Sequence, residues 1–258
     1  MKDELSIETK KIELFKPYSN VFGGFTLKNT GIVNRNGKIP GLNCGLSTAA
    51  PAEESEKNRQ ILFQELKLDG NRISLARQIH SNHVEIVNSG GIYEDTDAMI
   101  TNTTGVTLAI QVADCAAILL ADPENNIIAA VHAGWRSAIA DILPITIEKL
   151  NRLGANRPDR LLAYVSPCIS QHYFEVGKEV ALKFPDHFVD YRSFRKPHVN
   201  LKGFLVQQLM TAGLDLKQIQ IDPECTYRST SRYYSYRREG EKAGRMLAYI
   251  GLIPKHAV

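Results

Sequence analysis

Apolar residues form several short continuous runs in the middle of the chain. Runs of about four to eight apolar residues bounded by turn residues are typical of strands buried on both faces. The turn-forming stretch "DPENN" at Asp122–Asn126 separates two of these runs. The runs predict strands at Thr107–Val112, at Ala116–Leu120, at 127–133, at 160–167 and, with an interruption around His80–His83, within 75–88.

Other segments place apolar residues at helical spacing among charged ones, which predicts amphipathic helices. Residues 20–50 are instead rich in Gly, Asn and Thr, and we expect short strands and loops there. The neighbours of Tyr227 are β-prone, and residues 242–250 show a mixed pattern. The helices are predicted at Pro51–Leu68, from Ser137 to Leu153 with Gly154 closing the helix, at Ser170–Lys183 and at Leu201–Ala212.

This order of elements predicts the fold class. Strands and helices are interleaved, but the loops are long and several strands follow one another directly. That pattern favours an α+β fold with a mixed sheet over a doubly wound parallel sheet. No glycine-rich dinucleotide motif and no phosphate-loop motif follows any predicted strand, which leaves those two classes without support. The chain of 258 residues contains no low-complexity linker, and we expect one domain over residues 1–258.

The composition limits which binding partners and which cellular compartment are expected. The formal net charge of +3 is too small to indicate nucleic-acid or membrane binding. No stretch approaches the roughly 20 apolar residues of a membrane span. The amino-terminal segment is polar and lacks the apolar run of a signal peptide, so we expect a cytoplasmic protein. The basic, tyrosine-rich segment Arg228–Arg238 is either a solvated surface or an anion-binding loop.

The four cysteines lie far apart and form no Cys-x-x-Cys pair. In a chain without an export signal, free thiols are expected rather than disulfides. They are Cys44, Cys115, Cys168 and Cys225.

Histidines and a cysteine occur where apolar runs give way to small or polar residues. Two imidazoles and one thiolate form a ligand set for zinc with one open position, which is the arrangement of catalytic sites. Cys115 and His132 are two candidates, and either His80 or His83 is the third. On an extended chain His80 and His83 point to opposite sides, whereas on a helical turn both can converge. Buried histidines and cysteines also serve as ordinary core residues, and the spacing alone does not decide between these roles.

At these residues the sequence resembles the YfiH/YlmD family. The family is also labelled a multicopper polyphenol oxidase or laccase-domain family, and a family of purine nucleoside phosphorylases. The resemblance runs in order from about Phe22 to Leu252. It is carried by "RQIHSNHV", "TDAMIT", "VADCAAILLAD", "AAVHAGWRS", "CISQHYFEVGKEV" and "SYRREGEKAGRM".

The resemblance implies a YfiH-like mixed sheet layered with helices and a zinc site formed by His80, Cys115 and His132. It also implies phosphorolysis of adenosine, inosine and S-methyl-5′-thioadenosine, together with deamination of adenosine. The partners would then be a purine nucleoside and inorganic phosphate. One departure is Ser137, where the family usually has Gly, and we expect Ser137 to cap the following helix.

Several residues are candidates for binding the substrates. Arg136 and the amides of the first helical turn are placed to hold phosphate or the polar edge of the substrate, the alternative being a surface ion pair. Trp135 is a candidate for stacking on a purine, although single tryptophans often pack in the core. Weaker candidates for the same pocket are Asn43, Ser47 and Arg59.

Deamination also requires a carboxylate that moves protons beside the metal. Asp114 adjoins Cys115 and is the first candidate, although strand alternation can turn its side chain away. Glu175 is the reserve candidate.

Three other functions compete with this interpretation. A laccase needs many histidines to hold several coppers, but the chain has seven histidines and no His-x-His pair, so copper is the less expected metal. A hydrolase or amidase would use Cys115 as nucleophile with His132 or His80 as base. A non-catalytic zinc-binding module is the third, and a role in peptidoglycan editing is also attached to relatives of the family.

Overall fold

The computed structural model describes residues 7–31 and 33–253. Its strands are β1 (Thr9–Lys11), β2 (Val21–Thr26), β3 (Ile73–Ala76), β4 (Val84–Ile86), β5 (Gly91–Tyr93), β6 (Ala98–Thr101), β7 (Thr107–Val112), β8 (Ala116–Asp122), β9 (Ile127–Ala133), β10 (Leu162–Val165), β11 (Val189–Asp190), β12 (His198–Val199), β13 (Ile219–Ile221) and β14 (Met246–Leu252). Its α-helices are α1 (Ala52–Glu65), α2 (Trp135–Ile139), α3 (Ile142–Arg152), α4 (Lys178–Ala181), α5 (Leu201–Thr211) and α6 (Tyr236–Glu239).

Most strands belong to two six-stranded sheets. The first has the order β1-β2-β14-β7-β3-β5, and the second has the order β13-β10-β8-β9-β6-β4. In the first sheet β14 is antiparallel to β7, whereas β3 is parallel to β7. In the second sheet β8 is antiparallel to β9, whereas β4 is parallel to β6. The expectation of mixed pairing is confirmed, but the pairing is divided between two sheets.

The two sheets pack face to face. Leu108 and Ile110 of β7 lie in one apolar cluster with Leu119 of β8 and Ala130 of β9. The opposite faces of both sheets are covered by helices. β8 and β9 therefore lie between two apolar layers, which explains why their sequences are continuously apolar rather than alternating.

Helices cover the outer face of each sheet. On the second sheet, Ile118 and Val131 share an apolar cluster with Ile147 of α3 and Leu205 of α5. On the first sheet, Ala109 of β7 lies in a cluster with Leu62 of α1. The layers follow the order helix, sheet, sheet, helix.

Several predicted elements are confirmed. The segment 127–133 is strand β9, and the predicted strands at Thr107–Val112 and 160–167 correspond to β7 and β10. The predicted helices at Pro51–Leu68 and Leu201–Ala212 correspond to α1 and α5.

The segment predicted as one helix from Ser137 to Leu153 is two helices. Asp141 adopts a left-handed backbone conformation with φ of 60°, which separates α2 from α3. Ser137 is not a helix cap, because α2 begins at Trp135 after Gly134. The Ser137 hydroxyl lies inside the helix and is buried without a hydrogen-bond partner.

The helix predicted at Ser170–Lys183 is wrong except for α4. Glu175 instead forms an isolated antiparallel bridge with His198, and Gly177 caps α4. The β-prone segment around Tyr227 is also not a strand. The Arg238 guanidinium donates hydrogen bonds to the carbonyls of Thr226 and Tyr227, so a side chain satisfies groups that a strand partner would otherwise pair. Among the described residues, every helix is too short or too polar to cross a membrane.

Candidate metal centre

The sheets bring the candidate ligands to one edge. Cys115 directly precedes β8 and His132 lies near the end of β9. The antiparallel register pairs Ala117 with His132 and Ala116 with Ala133, so the start of β8 meets the end of β9. His80 lies in the connection between β3 and β4 that passes from one sheet to the other.

His80, Cys115 and His132 form a compact cluster. Their ligand atoms all lie within 4.8 Å of one another. The imidazole rings of His80 and His132 are edge to face, with centroids 4.8 Å apart. The alternative ligand His83 lies outside the cluster, is exposed and pairs with Glu85 at 3.1 Å. The structure therefore brings His80, rather than His83, to the other two residues.

Asp97 orients both histidines. Its buried carboxylate lies 2.7 Å from Nδ1 of His132, which leaves Nε2 of that ring for a metal. The same carboxylate accepts hydrogen bonds from the backbone amides of Ile79, His80 and Ser81. These bonds hold His80 in a left-handed conformation with φ of 62°, which is uncommon for a residue with a side chain.

Gly134 leaves the space that the cluster occupies. A Cβ atom at this position would lie 2.9 Å from Sγ of Cys115 and 2.9 Å from Nδ1 of His80. No side chain fits there without displacing a ligand. The donor set of two imidazoles and one thiolate, in a space that a methyl group would fill, fits a zinc ion.

The charges within the cluster favour a thiolate. Burial raises the pKa of Cys115, but His132 and His80 outweigh burial and bring that pKa down to about 6. Burial lowers the pKa of His132, but the Cys115 thiolate and Asp97 outweigh it and raise that pKa to about 9. The thiolate is the form of cysteine that binds metals and the form that acts as a nucleophile.

The cluster opens into a cavity of about 570 Å³. This volume falls within the range of roughly 300–1,000 Å³ that is typical of small-molecule sites. Four arginines line the cavity, and its acidic lining residues are Asp114 and Glu241. The arginines are Arg77, Arg136, Arg237 and Arg245.

The sequence is similar to a known family and to named proteins. A family profile described as "Multi-copper polyphenol oxidoreductase laccase" matches residues 23–253. The chain belongs to this family. A purine nucleoside phosphorylase of Deinococcus radiodurans is 35% identical over 232 residues, which cover 88% of this chain and 88% of that protein. A protein named adenosine deaminase RL5, from an unknown prokaryotic organism, is 28% identical over 256 residues, which cover 93% of this chain and 97% of that protein.

Solved structures agree with this assignment. The crystal structure of the Bacillus licheniformis hypothetical protein YfiH superimposes with a TM-score of 0.86 at 25% identity. The match covers 96% of this chain and 97% of that chain. The resemblance to the YfiH/YlmD family and the expected fold class are confirmed.

The cavity contains some of the predicted substrate-binding and catalytic residues. Ser47, Trp135, Arg136 and Asp114 line it. Trp135 is half-buried, and the Arg136 guanidinium lies over its ring at 4.3 Å from the centroid. Arg136 is exposed and makes no ion pair with a described residue.

Asn43 and Arg59 are not among the cavity-lining residues. The Asn43 carboxamide oxygen accepts hydrogen bonds from the amides of Gly45 and Arg245. Arg59 donates to the carbonyls of Cys44 and Gly45. Both side chains hold the backbone behind the cavity wall, and they support the site indirectly.

The two candidate proton carriers have other partners. The buried Asp114 carboxylate accepts hydrogen bonds from the Thr226 hydroxyl, the Ser235 hydroxyl and the Arg237 amide. Both of its oxygens are occupied, which fits an anchor for the Arg237 segment better than a proton carrier. Glu175 lies outside the cavity lining and pairs with Lys196 at 2.7 Å.

Sequence reasoning missed Asp97 and Arg245 as site residues. Asp97 lies directly before the apolar run of β6, within the stretch "TDAMIT" that carries the family resemblance. Arg245 lies within "SYRREGEKAGRM", another stretch that carries the resemblance, so its place in that motif was the signal that could have found it.

Proposed function

We propose that this protein is a zinc-dependent purine nucleoside phosphorylase acting on adenosine, inosine and S-methyl-5′-thioadenosine, with adenosine deaminase activity. The observation that carries the proposal is the His80–Cys115–His132 cluster opening into an arginine-lined cavity large enough for a nucleoside. The names of the relatives from Deinococcus radiodurans and the unknown prokaryotic organism support the same two reactions. A catalytic role also fits the donor set, because three protein ligands leave one position open.

The proposed metal site uses His80, Cys115 and His132 as ligands and Asp97 as the group that orients His132. Zinc bound there would supply a Lewis acid that polarises a substrate oxygen or activates water. Copper is the weaker proposal, because the described residues contain one such group of three ligands rather than the several histidine clusters of a multicopper centre.

In phosphorolysis, a phosphate oxygen attacks the anomeric carbon of the ribose and the carbon–nitrogen bond to the purine breaks. The purine leaves after it gains a proton. The protein's task is to hold phosphate and nucleoside in contact and to exclude other orientations. The cationic wall of the cavity provides the phosphate subsite, and the half-buried Trp135 provides an aromatic face for the purine.

Product analysis tests the proposal. With inosine and inorganic phosphate, we expect hypoxanthine and ribose 1-phosphate from the zinc-loaded protein, and with phosphate omitted we expect at least a tenfold slower release of base. With adenosine, we expect adenine when phosphate is present and inosine from deamination in either case. Chromatographic separation of the bases and nucleosides distinguishes the two reactions. The absence of turnover on inosine, adenosine and S-methyl-5′-thioadenosine would contradict the proposed activity.

A Cys–His hydrolase is the second candidate, and the low pKa of Cys115 beside His132 favours it. We expect Cys115 in the metal-free protein to be alkylated rapidly by iodoacetamide at pH 7, because a thiol with a pKa of about 6 is mostly ionised there. The rate should fall as the pH is lowered through 6, since the thiol becomes protonated. Mass spectrometry identifies the modified residue.

The effect of stoichiometric zinc separates the two candidates. If Cys115 is a metal ligand, zinc protects it from alkylation and the nucleoside reactions depend on zinc. If the residue is a nucleophile, the protein hydrolyses an amide or ester without zinc, and alkylation of Cys115 abolishes that activity. The buried Cys168, whose pKa is raised by burial to about 12, is the internal control and should remain unmodified.

A further inference from the structure

The four arginines of the cavity differ in their partners. Arg77 is paired with Glu94 at 2.7 Å, so a carboxylate already offsets its charge. No ion pair among the described residues includes Arg136, Arg237 or Arg245. Arg136 and Arg237 are exposed, whereas Arg245 is partly buried. A partly buried arginine without a carboxylate partner is the unusual member of this group, because buried charges are normally paired.

The protein fixes one of the three nitrogens of the Arg245 guanidinium. Its Nη1 atom donates hydrogen bonds to the carbonyls of Ala243 and Gly244 at 2.7 and 3.0 Å. Within residues 7–31 and 33–253, Nε and Nη2 have no hydrogen-bond partner. In this part of the chain, the buried side-chain nitrogen and oxygen atoms without a hydrogen-bond partner are Ser137 Oγ and Gln208 Oε1. Nε and Nη2 of Arg245 are not among them, so these two free nitrogens are not buried, and Arg245 lines the cavity.

The rest of Arg245 is held in place. Its amide donates to Asn43 Oδ1, and its carbonyl accepts from the amide of Cys44. A Cβ atom on Gly45 would lie 3.0 Å from Cγ of Arg245, so the side-chain stem packs closely against the backbone of Gly45. The guanidinium lies 5.6 Å from the ring centroid of Tyr236. This order reduces the entropy that the side chain loses when it binds a ligand.

Arg245 lines the same cavity as the metal cluster. Burial lowers the pKa of its guanidinium, and the charges of Cys115, Asp114 and Glu241 act in the opposite direction without forming an ion pair with it. Two adjacent, unused N–H donors on one planar group match two oxygens of a tetrahedral oxyanion. Phosphate held there would lie in the cavity that contains the metal cluster, on a partly buried arginine rather than on the exposed Arg136.

We infer that Arg245 forms the principal binding site for free inorganic phosphate and that Arg136 does not. The inference rests on the proposed phosphorolysis, since it identifies the residue that presents the attacking oxyanion to the nucleoside. Asn43 is a positioning residue in this arrangement, because its carboxamide sets the backbone of Arg245.

Phosphate binding by the zinc-loaded full chain tests the inference. Inorganic phosphate is titrated calorimetrically without nucleoside into the unmodified protein and into the Arg245→Gln, Arg245→Lys and Arg136→Gln variants. We expect Arg245→Gln to weaken phosphate binding about tenfold or more, because it removes charge-assisted hydrogen bonds. Arg245→Lys should recover part of the loss, since it keeps the charge without the paired donors. Arg136→Gln should have the smaller effect.

The surface variant Arg157→Gln is the matched control, because Arg157 lies outside the cavity and pairs with Asp159 at 2.8 Å. It should bind phosphate as the unmodified protein does. Zinc content and melting temperature are measured for every variant, so that loss of folding is separated from loss of binding. In steady-state assays, Arg245→Gln should raise the KM for phosphate more than the KM for inosine.

Two results would overturn the inference. One is a folded, zinc-loaded Arg245→Gln variant that binds phosphate as tightly as the unmodified protein, or more tightly than Arg136→Gln does. The other comes from a parallel titration with a purine nucleoside 5′-monophosphate. If Arg245→Gln loses affinity for this ester but not for inorganic phosphate, Arg245 binds the phosphate group of an ester instead. If Arg245-dependent phosphate binding occurs in a protein that releases no base from any nucleoside, the subsite stands and the proposed phosphorolysis fails. If phosphorolysis occurs but does not depend on Arg245, the proposed phosphorolysis stands and the inference about Arg245 fails.

Discussion

Replacing Cys115 with alanine is expected to remove zinc binding and to slow phosphorolysis by on the order of a thousandfold. The thiolate is the one anionic donor in the cluster with His80 and His132. Loss of an outer partner of a metal ligand costs about 10- to 100-fold in affinity, and loss of a ligand itself should cost more. A Lewis acid contributes several kcal/mol to the stabilisation of a transition state, and each 1.4 kcal/mol corresponds to about tenfold in rate.

Metal analysis of the purified variant and base release from inosine with phosphate measure the two effects. Cys225→Ala is the matched control, because Cys225 is also a free cysteine but is buried and does not belong to the cluster. The control should keep stoichiometric zinc and base release. Full activity of Cys115→Ala without metal would exclude zinc-dependent catalysis at this site.

Replacing Gly134 with alanine is expected to weaken zinc binding by about 10- to 100-fold or more, comparable to the loss of a group that orients a ligand. The added Cβ would lie 2.9 Å from both Sγ of Cys115 and Nδ1 of His80, so at least one ligand must move. The backbone of Gly134 is extended, with φ of −76° and ψ of 171°, and any residue can adopt that conformation. The expected effect is therefore steric and local to the cluster.

Gly70→Ala is the control for this variant, because a Cβ atom at Gly70 would meet nothing within 4 Å. Zinc affinity is measured by competition with a chromogenic chelator, and the melting temperature of the metal-free proteins is measured in parallel. We expect the metal-free Gly134→Ala protein to remain folded. An unchanged zinc affinity would show that the metal does not occupy the space between Cys115 and His80.

Asp97 illustrates why parts of this site escape sequence reasoning. It lies 35 positions before His132, yet its carboxylate binds the ring of His132 and the backbone amides around His80. No local pattern indicates which distant side chain a buried carboxylate will meet. The antiparallel pairing of β6 with β9 decides it, because it places Ala98 opposite Val131 and so brings Asp97 beside His132.

The segment after Ser170 shows the same limit for secondary structure. Its residues have helical spacing, but Glu175 pairs with His198 and a short helix begins only after Gly177. The strands β7 and β8 show that the sequence also leaves the topology open. They are neighbouring apolar runs on either side of Asp114, yet they belong to different sheets. An apolar run specifies burial, but it does not specify the partner against which the run is buried.

The sequence by itself determined the elements whose pattern is complete within a few turns or one strand, such as α1, α5 and β9. Its motifs also identified the family and the candidate metal ligands Cys115 and His132, and the family resemblance favoured His80 over His83. The tertiary structure decided what depends on long-range packing. This includes the division into two sheets, the carboxylate that orients the ligands and the partners of each cavity arginine. Those features depend on which strand edges and side chains meet in space, and that is settled by the free energy of the whole packed core rather than by any local stretch of chain.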